Sequence, residues 1–573
     1  MNRALTWALL GSIALLLLFS AYLAATRIYQ VDECQNIYMA RILAIGQAKT
    51  FITNTEVLLL PLSWLARETT HSNDLFTSGR FLMLSIFWLN LVLIALATGE
   101  RFPSRRGLIA LFGAASLAPL WDYGFEIRHD NLLLTGLLLI WYVVRVRPCG
   151  PQSYLIAGSI TVSLQFIAFK AFAYTVPLML AILAFPPPGH KTNRWKLILA
   201  WVFGATVTFL LVRLVYGVMG LWEVYSKDFQ GISAVSINTN RFGPWCLTRL
   251  LIQTPLLLTV IVVALMAVAA DLRHYGKAAL TWNGNLPEAL LLLYALGVLF
   301  INPTPFPYNL LHLVPYAFIF GFRYVATLSV ELQDRRVLFP LLAVFVIVAH
   351  LIPFSIATQR HLNWTNSRQV RLMSLAEILT DPVKDPVYDA IGMVPTRSSI
   401  HFLWFLHSLN IQSFIKEPGL KVRDMLAQRP AAVFIPSYRT DWLPKEDHDF
   451  IHQWYVALAD DFWVLGKVLP PGGGTFEIIH PGRYRISSIQ KSDIIGTYRE
   501  GWKELLKLED LGNLLVTLDG ASFSTGVVEL TKGQHRIETN ADYQPAVVWM
   551  GPKLDRIDRL GQGDHHKLFF NWY

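Results

Sequence analysis

The chain has 573 residues, of which 53% are hydrophobic, 13% aromatic and only 16% charged, and its mean hydropathy is +0.40; these values exclude an ordinary soluble domain and define an integral membrane protein. The formal charge of +9 does not point to nucleic acid, because the basic residues stand as short clusters between apolar runs rather than as one patch. The cysteines Cys34, Cys149 and Cys246 make neither a disulfide framework nor a metal-ligand spacing, which leaves a single Cys34–Cys246 pair as an open option.

The N-terminus, Met1-Asn2-Arg3 followed by an apolar run from Leu5 to Ala25, resembles a signal peptide but is long enough to span and is followed by further spans, so it reads as a retained first helix. Apolar runs then recur near Phe81–Thr98, Leu108–Leu120, Leu132–Val144, Tyr154–Phe169, Phe172–Phe185, Leu197–Val215, Leu250–Ala270, Ala289–Ile301, Leu310–Ala326 and Val337–Ala357. This predicts an α-helical polytopic membrane protein with about 11 transmembrane helices. The basic clusters at Arg3, Arg101 to Arg106, Arg145 to Arg147, Lys191 to Lys196, Arg273 to Lys277 and Arg335-Arg336 all alternate onto one side, the cytoplasmic one. The expectation is therefore a multi-pass protein of the cell (inner) membrane, with a cytoplasmic N-terminus and an extracytoplasmic Tyr573.

The opposite side receives every loop with chemical content: the loop carrying Asp32-Glu33, the stretch Trp121 to Asp130, the turn around Lys170, the segment Val218 to Trp245, the loop Asn302 to Tyr308, and everything after about Ala357. After that point the composition becomes soluble-like. Strand patterns at Val387–Gly392 and Ala431–Ile435 alternate with helical patterns at Leu372–Leu379 and Asp447–Leu458. A Pro470-Pro471-Gly472-Gly473-Gly474 turn then introduces period-two runs at Gly482–Ile486, Leu514–Leu518, Gly526–Leu530 and His535–Thr539, punctuated by Asp519-Gly520 and Lys532-Gly533. Three domains are expected: a membrane domain over 1–357, an extracytoplasmic α/β subdomain over 358–480, and a β-sandwich-like domain over 481–573.

Asp32 and Glu33 follow the first span directly. A carboxylate at the membrane surface suits deprotonation of a hydroxyl acceptor while a lipid-borne donor stays in the bilayer, and equally it suits a solvated loop. In an extended segment the two consecutive side chains would face opposite ways, so one would address the acceptor and the other would orient the loop. In the same loop Glu56 precedes Leu60-Pro61-Leu62, where Pro61 breaks or begins a short surface helix. In Trp121 to Asn131, a helical course would put Glu126 and Asp130 on one face with Arg128 elsewhere; Asp130 and Asn131 are also good helix caps. Lys170 lies between apolar flanks and either pairs with an anion or snorkels to the interface. His312 sits one turn inside a span behind the stiff turn Pro303 to Tyr308, as a structural histidine or a functional one. No Walker, paired-cysteine zinc, HExxH or serine-elbow motif is present.

Together these features resemble the GT-C superfamily of membrane glycosyltransferases, in particular the polyprenyl-phosphate-sugar enzymes related to protein O-mannosyltransferases and aminoarabinose transferases. The residues that carry the resemblance are Val31-Asp32-Glu33 with Tyr38-Met39-Ala40-Arg41, Glu56 with Pro61-Leu62, Arg128-His129-Asp130, the intramembrane Lys170, and the stretch from Pro307 to Pro315 with Tyr308 and His312. The resemblance implies inverting transfer of a sugar from a polyprenyl-phosphate donor to a hydroxyl of a glycan, lipid or protein acceptor at the extracytoplasmic face. It implies Asp32 as base with Glu33 and Asp130 as neighbours. Where the family carries Glu-Lys-Pro-Pro or His-Pro-Pro, this chain reads Glu56-Val57-Leu58-Leu59-Leu60-Pro61, so Lys170, Arg128, Arg80 and His312 are left to supply the charge for the phosphate. No cofactor is required, and a divalent cation is optional. The reading from another class, a transporter or lipid flippase with an extracytoplasmic sensor domain, calls for charged or broken helices at the midplane and an internal repeat, neither of which is evident.

Overall fold

The computed structural model describes residues 2–47, 56–147, 150–168, 170–184, 194–227, 248, 252–276, 307–331, 338–401, 405–406, 421–490, 494–498, 501–504, 507–509, 516–523, 526–539, 544–555 and 568–569. The chain forms two compact units. The first comprises Met1–Arg27, Ala48–Pro61 and Ser78–Trp364, and the second Ile28–Gln47, Leu62–Thr77 and Thr365–Tyr573.

Helices account for the first unit: α1 (Asn2–Thr26), α2 (Val31–Ala44, assigned to the second unit), α3 (Glu56–Glu68), α4 (Ser72–Ala97), α5 (Arg105–Ala115), α6 (Ala118–Tyr123), α7 (His129–Trp141), α8 (Pro151–Ile167), α9 (Ala171–Ala184) and α10 (Arg194–Val218), followed by helices Pro255–Tyr275, Leu310–Glu331 and Leu338–Asn363. Ala289–Ile301 lies outside the described residues; the described parts of the other predicted apolar runs are largely helical, with Leu108–Leu120 divided between α5 and α6. Among the described residues four helices are long and apolar enough to cross a membrane: Arg3–Thr26, Ser72–Ala97, His129–Val146 and Arg194–Val218. Their packing tells which surface meets hydrocarbon. On α10, Leu199, Phe203, Leu210, Leu211 and Leu214 are all exposed, an apolar surface that is stable only against lipid or a further apolar partner. On its inner side α10 lies against α8 with the backbones nearly touching, since a Cβ on Gly158 would strike the carbonyl of Trp201 and one on Gly204 the carbonyl of Leu155. Small residues at a crossing are how membrane helices gain van der Waals contact when no hydrophobic force drives them together.

Two local expectations are corrected. Pro61 neither begins nor breaks a helix, because α3 runs through it from Glu56 to Glu68; only the one backbone bond that the proline nitrogen cannot donate is forfeited. Asp32 and Glu33 stand not in an extended segment but in the first turn of α2, where the helix dipole favours negative charge.

In the second unit, strands Val387–Tyr388 (β1) and Val433–Phe434 (β2) pair in parallel. They continue through Phe462–Val468 (β4), Pro545–Trp549 (β14), Gly482–Gln490 (β6) and Gly526–Leu530 (β12) in one sheet of order β1-β2-β4-β14-β6-β12, to which Tyr455–Ala459 (β3) and Lys507–Glu509 (β9) attach. The α/β part and the strands beyond residue 480 thus share one sheet. A second sheet has the order β11-β10-β13-β5, from Ala521–Phe523, Val516–Leu518, Gly533–Glu538 and Gly473–Ile478 respectively, and Ile494–Tyr498 (β7) pairs antiparallel with Gly501–Glu504 (β8). Its β10–β11 hairpin turns on Asp519 and Gly520, both at positive φ (51° and 82°), the turn that matches strand twist and that the Asp-Gly pair signals.

The second unit also holds the N-terminal segment that carries Asp32. The side-chain amide of Gln369, on helix Ser367–Leu379, accepts from the Tyr29 N–H (2.7 Å) and donates to the carbonyls of Tyr29 (3.0 Å) and Leu568 (2.9 Å). Glu377 on the same helix accepts from the Ser72 N–H (2.7 Å) and the Thr396 hydroxyl (2.6 Å) and lies 3.3 Å from His71 Nδ1. Burial works against its ionisation, but the hydrogen bonds from Ser72, Thr396 and His71 outweigh it and hold the carboxyl below its ordinary value. A carboxylate depressed on folding contributes stability that is fully present above the unfolded value of about 4.3 and is lost as pH falls towards the folded one. Glu377→Gln is therefore expected to lower stability by roughly 1–2 kcal/mol at neutral pH and to flatten the loss of stability below about pH 4, read from denaturant melts across pH. An acid limb identical to that of the parent would show that this carboxylate does not clamp the segment.

Candidate functional site

The first unit concentrates its buried charge on the stretch between α6 and α7. Helix α6 ends at Tyr123, and Gly124 follows at a position where a Cβ would strike the Leu120 carbonyl and the Phe87 ring. The chain then runs without helix to His129. Glu126 and Asp130 consequently do not share a helical face. Glu126 pairs with Arg27 of the segment after α1 (3.0 Å), both fully buried, and Arg27 also donates to the carbonyl of Trp121 (2.9 Å). Asp122 is held by Arg360 and by His361 Nε2 (2.9 Å) from helix Leu338–Asn363, and accepts from Gln253 Nε2 (2.7 Å).

Asp130 is the third carboxylate, fully buried in the first turn of α7. Its Oδ2 accepts from Arg128 Nε at 3.1 Å and its Oδ1 from Lys170 Nζ. His312 Nε2 lies 3.2 Å from the Asp130 carbonyl and 3.8 Å from Oδ1, and His129 Nε2 lies 3.9 Å from Oδ1. Lys170 also donates to Asn309 Oδ1 (3.2 Å). The Tyr308 ring receives both cations on its face, with Arg128 Cζ 3.9 Å and Lys170 Nζ 4.6 Å from its centroid, a geometry that retains positive charge in a poorly hydrated place. Tyr174 of α9 packs on the His312 ring at 4.8 Å. The carboxylate, Asn309 and His312 are fully buried, whereas the Lys170 and His129 side chains keep 18% and 20% of their surface. The cluster is accordingly accessible on its cationic side.

Of the residues nominated from sequence, Asp130, Arg128, Lys170, His312 and Tyr308 converge. Asp130 and Asn131 do not cap α7; the N-cap is Arg128, and Asn131 Nδ2 instead donates to the carbonyls of Tyr123 (3.0 Å) and Glu126 (3.2 Å). Arg80, fully buried on α4, donates to the carbonyls of Arg27 and Ala24 and so ties down the end of α1. Glu56 begins α3, and its side chain lies outside the described residues. In the second unit, Glu33 is fully buried and its Oε2 accepts the Gln30 N–H at 2.8 Å as the return bond of a capping box, while Asp32, one residue before it, remains partly exposed. Cys34 is a buried thiol; Cys149 and Cys246 lie outside the described residues. Sequence reasoning missed Asn309, Arg27 and the set of Asp122, Gln253, Arg360 and His361. The pair Arg360-His361, at the end of a span, was the available signal for that set.

Among the described residues no group of three or more His, Cys, Asp or Glu side chains is arranged to hold a metal. Asp130 and Asp122 each already face a cationic side chain, a donor set that does not suit a divalent cation.

No family model and no curated protein matches the chain. Among solved structures it is similar to the oligosaccharyltransferase of Archaeoglobus fulgidus in complex with Zn and sulfate, at 10% identity over 96% of this chain and 100% of that chain with a TM-score of 0.45. It is also similar to ArnT from Cupriavidus metallidurans bound to undecaprenyl phosphate, at 13% identity over 76% of this chain and 93% of that one with a TM-score of 0.47. These likenesses are distant, and the reading of the site rests on the chain's own residues.

Lys170 is the accessible cation of the cluster, so its removal is the direct test of anion binding there. Lys170→Met is expected to weaken binding of a long-chain alkyl phosphate to the purified protein about 10- to 100-fold, the worth of a charge-assisted hydrogen bond, with unchanged helix content and elution volume. Unchanged affinity in a folded variant would remove Lys170 from the site.

Proposed function

We propose that the protein is an inverting glycosyltransferase that moves a sugar from a polyprenyl-phosphate donor to an acceptor hydroxyl at the extracytoplasmic membrane face. The observation that carries this reading is the cluster of Lys170 and Arg128 on Asp130 at the start of a helix long and apolar enough to span. When the anomeric carbon leaves a phosphodiester oxygen, negative charge grows on the departing phosphate. Cations fixed beforehand by Asp130, Asn309 and Tyr308 stabilise that charge more in the transition state than in the ground state. Asp130 has a positioning role here: it holds the two cations in place and keeps them tolerable when no anion is bound. Direct displacement by the acceptor oxygen inverts the anomeric configuration and needs a base to take the hydroxyl proton.

For the base we propose Asp32, which unlike the buried Glu33 keeps part of its surface exposed. Glu33 then has the orienting role, through the cap on α2. Membranes containing the protein, given undecaprenyl-phosphate-linked radiolabelled sugars one at a time with cell-envelope extract as acceptor, are expected to release free undecaprenyl phosphate and to label the extract. Asp32→Asn should cut that transfer by about a hundred- to ten-thousandfold and leave binding of undecaprenyl phosphate intact. Full transfer by Asp32→Asn would move the base elsewhere, and absence of lipid-phosphate release with every donor would end the glycosyltransferase reading.

A further inference from the structure

The second unit contains a buried cation that the donor chemistry does not use. Strands β1 and β2 run parallel, and loops at the carboxyl ends of parallel strands are where α/β folds place ligands. The loop after β2 carries Ser437, Tyr438, Arg439 and Thr440. It is locked by the Thr440 hydroxyl, which donates to the Ser437 carbonyl (2.7 Å) and accepts from the Ser437 N–H (3.0 Å), and by the Ser437 hydroxyl, which donates to the carbonyl of Asp389 at the end of β1 (3.3 Å).

Arg439 is only 9% exposed. Its Nε donates to the Tyr438 hydroxyl (3.0 Å) and its Nη1 to the Leu406 carbonyl (3.0 Å), and its Cζ lies 4.6 Å from the centre of the Trp442 ring and 5.7 Å from that of Phe405. These partners are dipoles and ring faces. Among the described residues no carboxylate forms an ion pair with Arg439. A guanidinium withdrawn from water without a counter-anion is costly, and an anionic ligand would offset that cost. Trp442, only partly buried, presents an indole beside it. Asp32 belongs to the same neighbourhood: burial pushes the Tyr438 phenol up, Arg439 opposes this, and the charge of Asp32 adds to it.

We propose that Arg439, Tyr438 and Trp442 form a binding site for an anionic sugar, the indole stacking on the pyranose ring and the guanidinium holding a carboxylate or phosphate substituent. Placed in the neighbourhood of Asp32, this sugar is the acceptor of the transfer proposed above. Its role as acceptor rests on that reading, whereas its binding does not. The aromatic face gives the sugar an apolar platform, and the planar fork of N–H groups discriminates an anionic substituent from a hydroxyl.

The test uses the full-length protein in nanodiscs, without lipid donor, and measures binding of three probes by ligand-observed NMR: an oligoglucuronate, glucose 6-phosphate and neutral maltohexaose. At least one anionic probe is expected to bind about tenfold or more tightly than the neutral one, and which of them does so identifies the anion. Arg439→Gln should abolish that preference and Arg439→Lys should keep part of it. Trp442→Ala, which leaves the guanidinium in place, should weaken all bound sugars by roughly threefold to tenfold. Equal binding of charged and neutral probes by the parent protein, or a preference that survives Arg439→Gln, would overturn the proposal. If Arg439→Gln does not fold, Trp442→Ala decides: undiminished binding by that variant overturns the proposal. Lipid-phosphate release is measured in a separate assay with lipid donor, so a failure of that release and a failure of anionic-sugar binding are read in separate experiments.

Discussion

The constraint on which the first unit depends is the cost of holding charge away from water. Three carboxylates spaced four residues apart, Asp122, Glu126 and Asp130, are buried within one short stretch. Each is offset by a cation from a different part of the chain: Arg360 from helix Leu338–Asn363, Arg27 from the end of α1, and Lys170 from the turn before α9. Removing either partner of such a pair strands a charge that the surroundings cannot solvate, which costs far more than the pair itself gains. The three pairs therefore act as constraints on the position of the stretch. The Asp130 cluster can hold its geometry without a ligand because these neighbouring pairs fix the backbone that carries it.

The same physics separates the two adjacent acids of the second unit. Glu33 is buried and employed by the cap of its own helix, and Asp32 keeps part of its surface. Consecutive residues on a helix point about 100° apart, so one carboxylate can be buried in the fold while its neighbour keeps part of its surface exposed. The Gln369 amide, bonded to both the N–H and the carbonyl of Tyr29, sets the start of α2 and with it the direction in which Asp32 projects.

Much of this was legible in the residues. Hydropathy located the helices, because a run of apolar side chains has few alternatives in a bilayer. The Asp519-Gly520 signal located a hairpin, because its turn demands positive φ at both positions. The meeting of Arg128, Lys170, His312 and Tyr308 was legible only through resemblance, since spacing along the chain does not say which side chains from three separate segments converge. The i, i+4 spacing of Glu126 and Asp130 misled. It suggested a helical face, but α6 ends at Tyr123 and the backbone is extended at Arg128, the N-cap of α7, so the two carboxylates stand on either side of a break. Asp122, Gln253, Arg360 and His361 went unread because each looks ordinary in its own segment, and only their burial together makes them a unit.

The arrangement of charge also distinguishes between the two anion-dependent chemistries open to such a membrane site. A divalent cation asks for several carboxylate oxygens turned towards one empty point, free of competing positive charge. Asp130 instead turns one oxygen to Lys170 and the other to Arg128, with His129 and His312 nearby. A metal ion arriving there would have to displace both side chains and would then face their charges across a poorly screened distance. A phosphate arriving at the same place meets the opposite situation. It adds negative charge beside the cations that Asp130 holds, and Tyr308 already lies across both of them. The carboxylate, Asn309 and the Tyr308 ring thus hold the cations in fixed positions, and fixed cations need little reorganisation to stabilise the charge that the proposed transfer would develop on a departing phosphate.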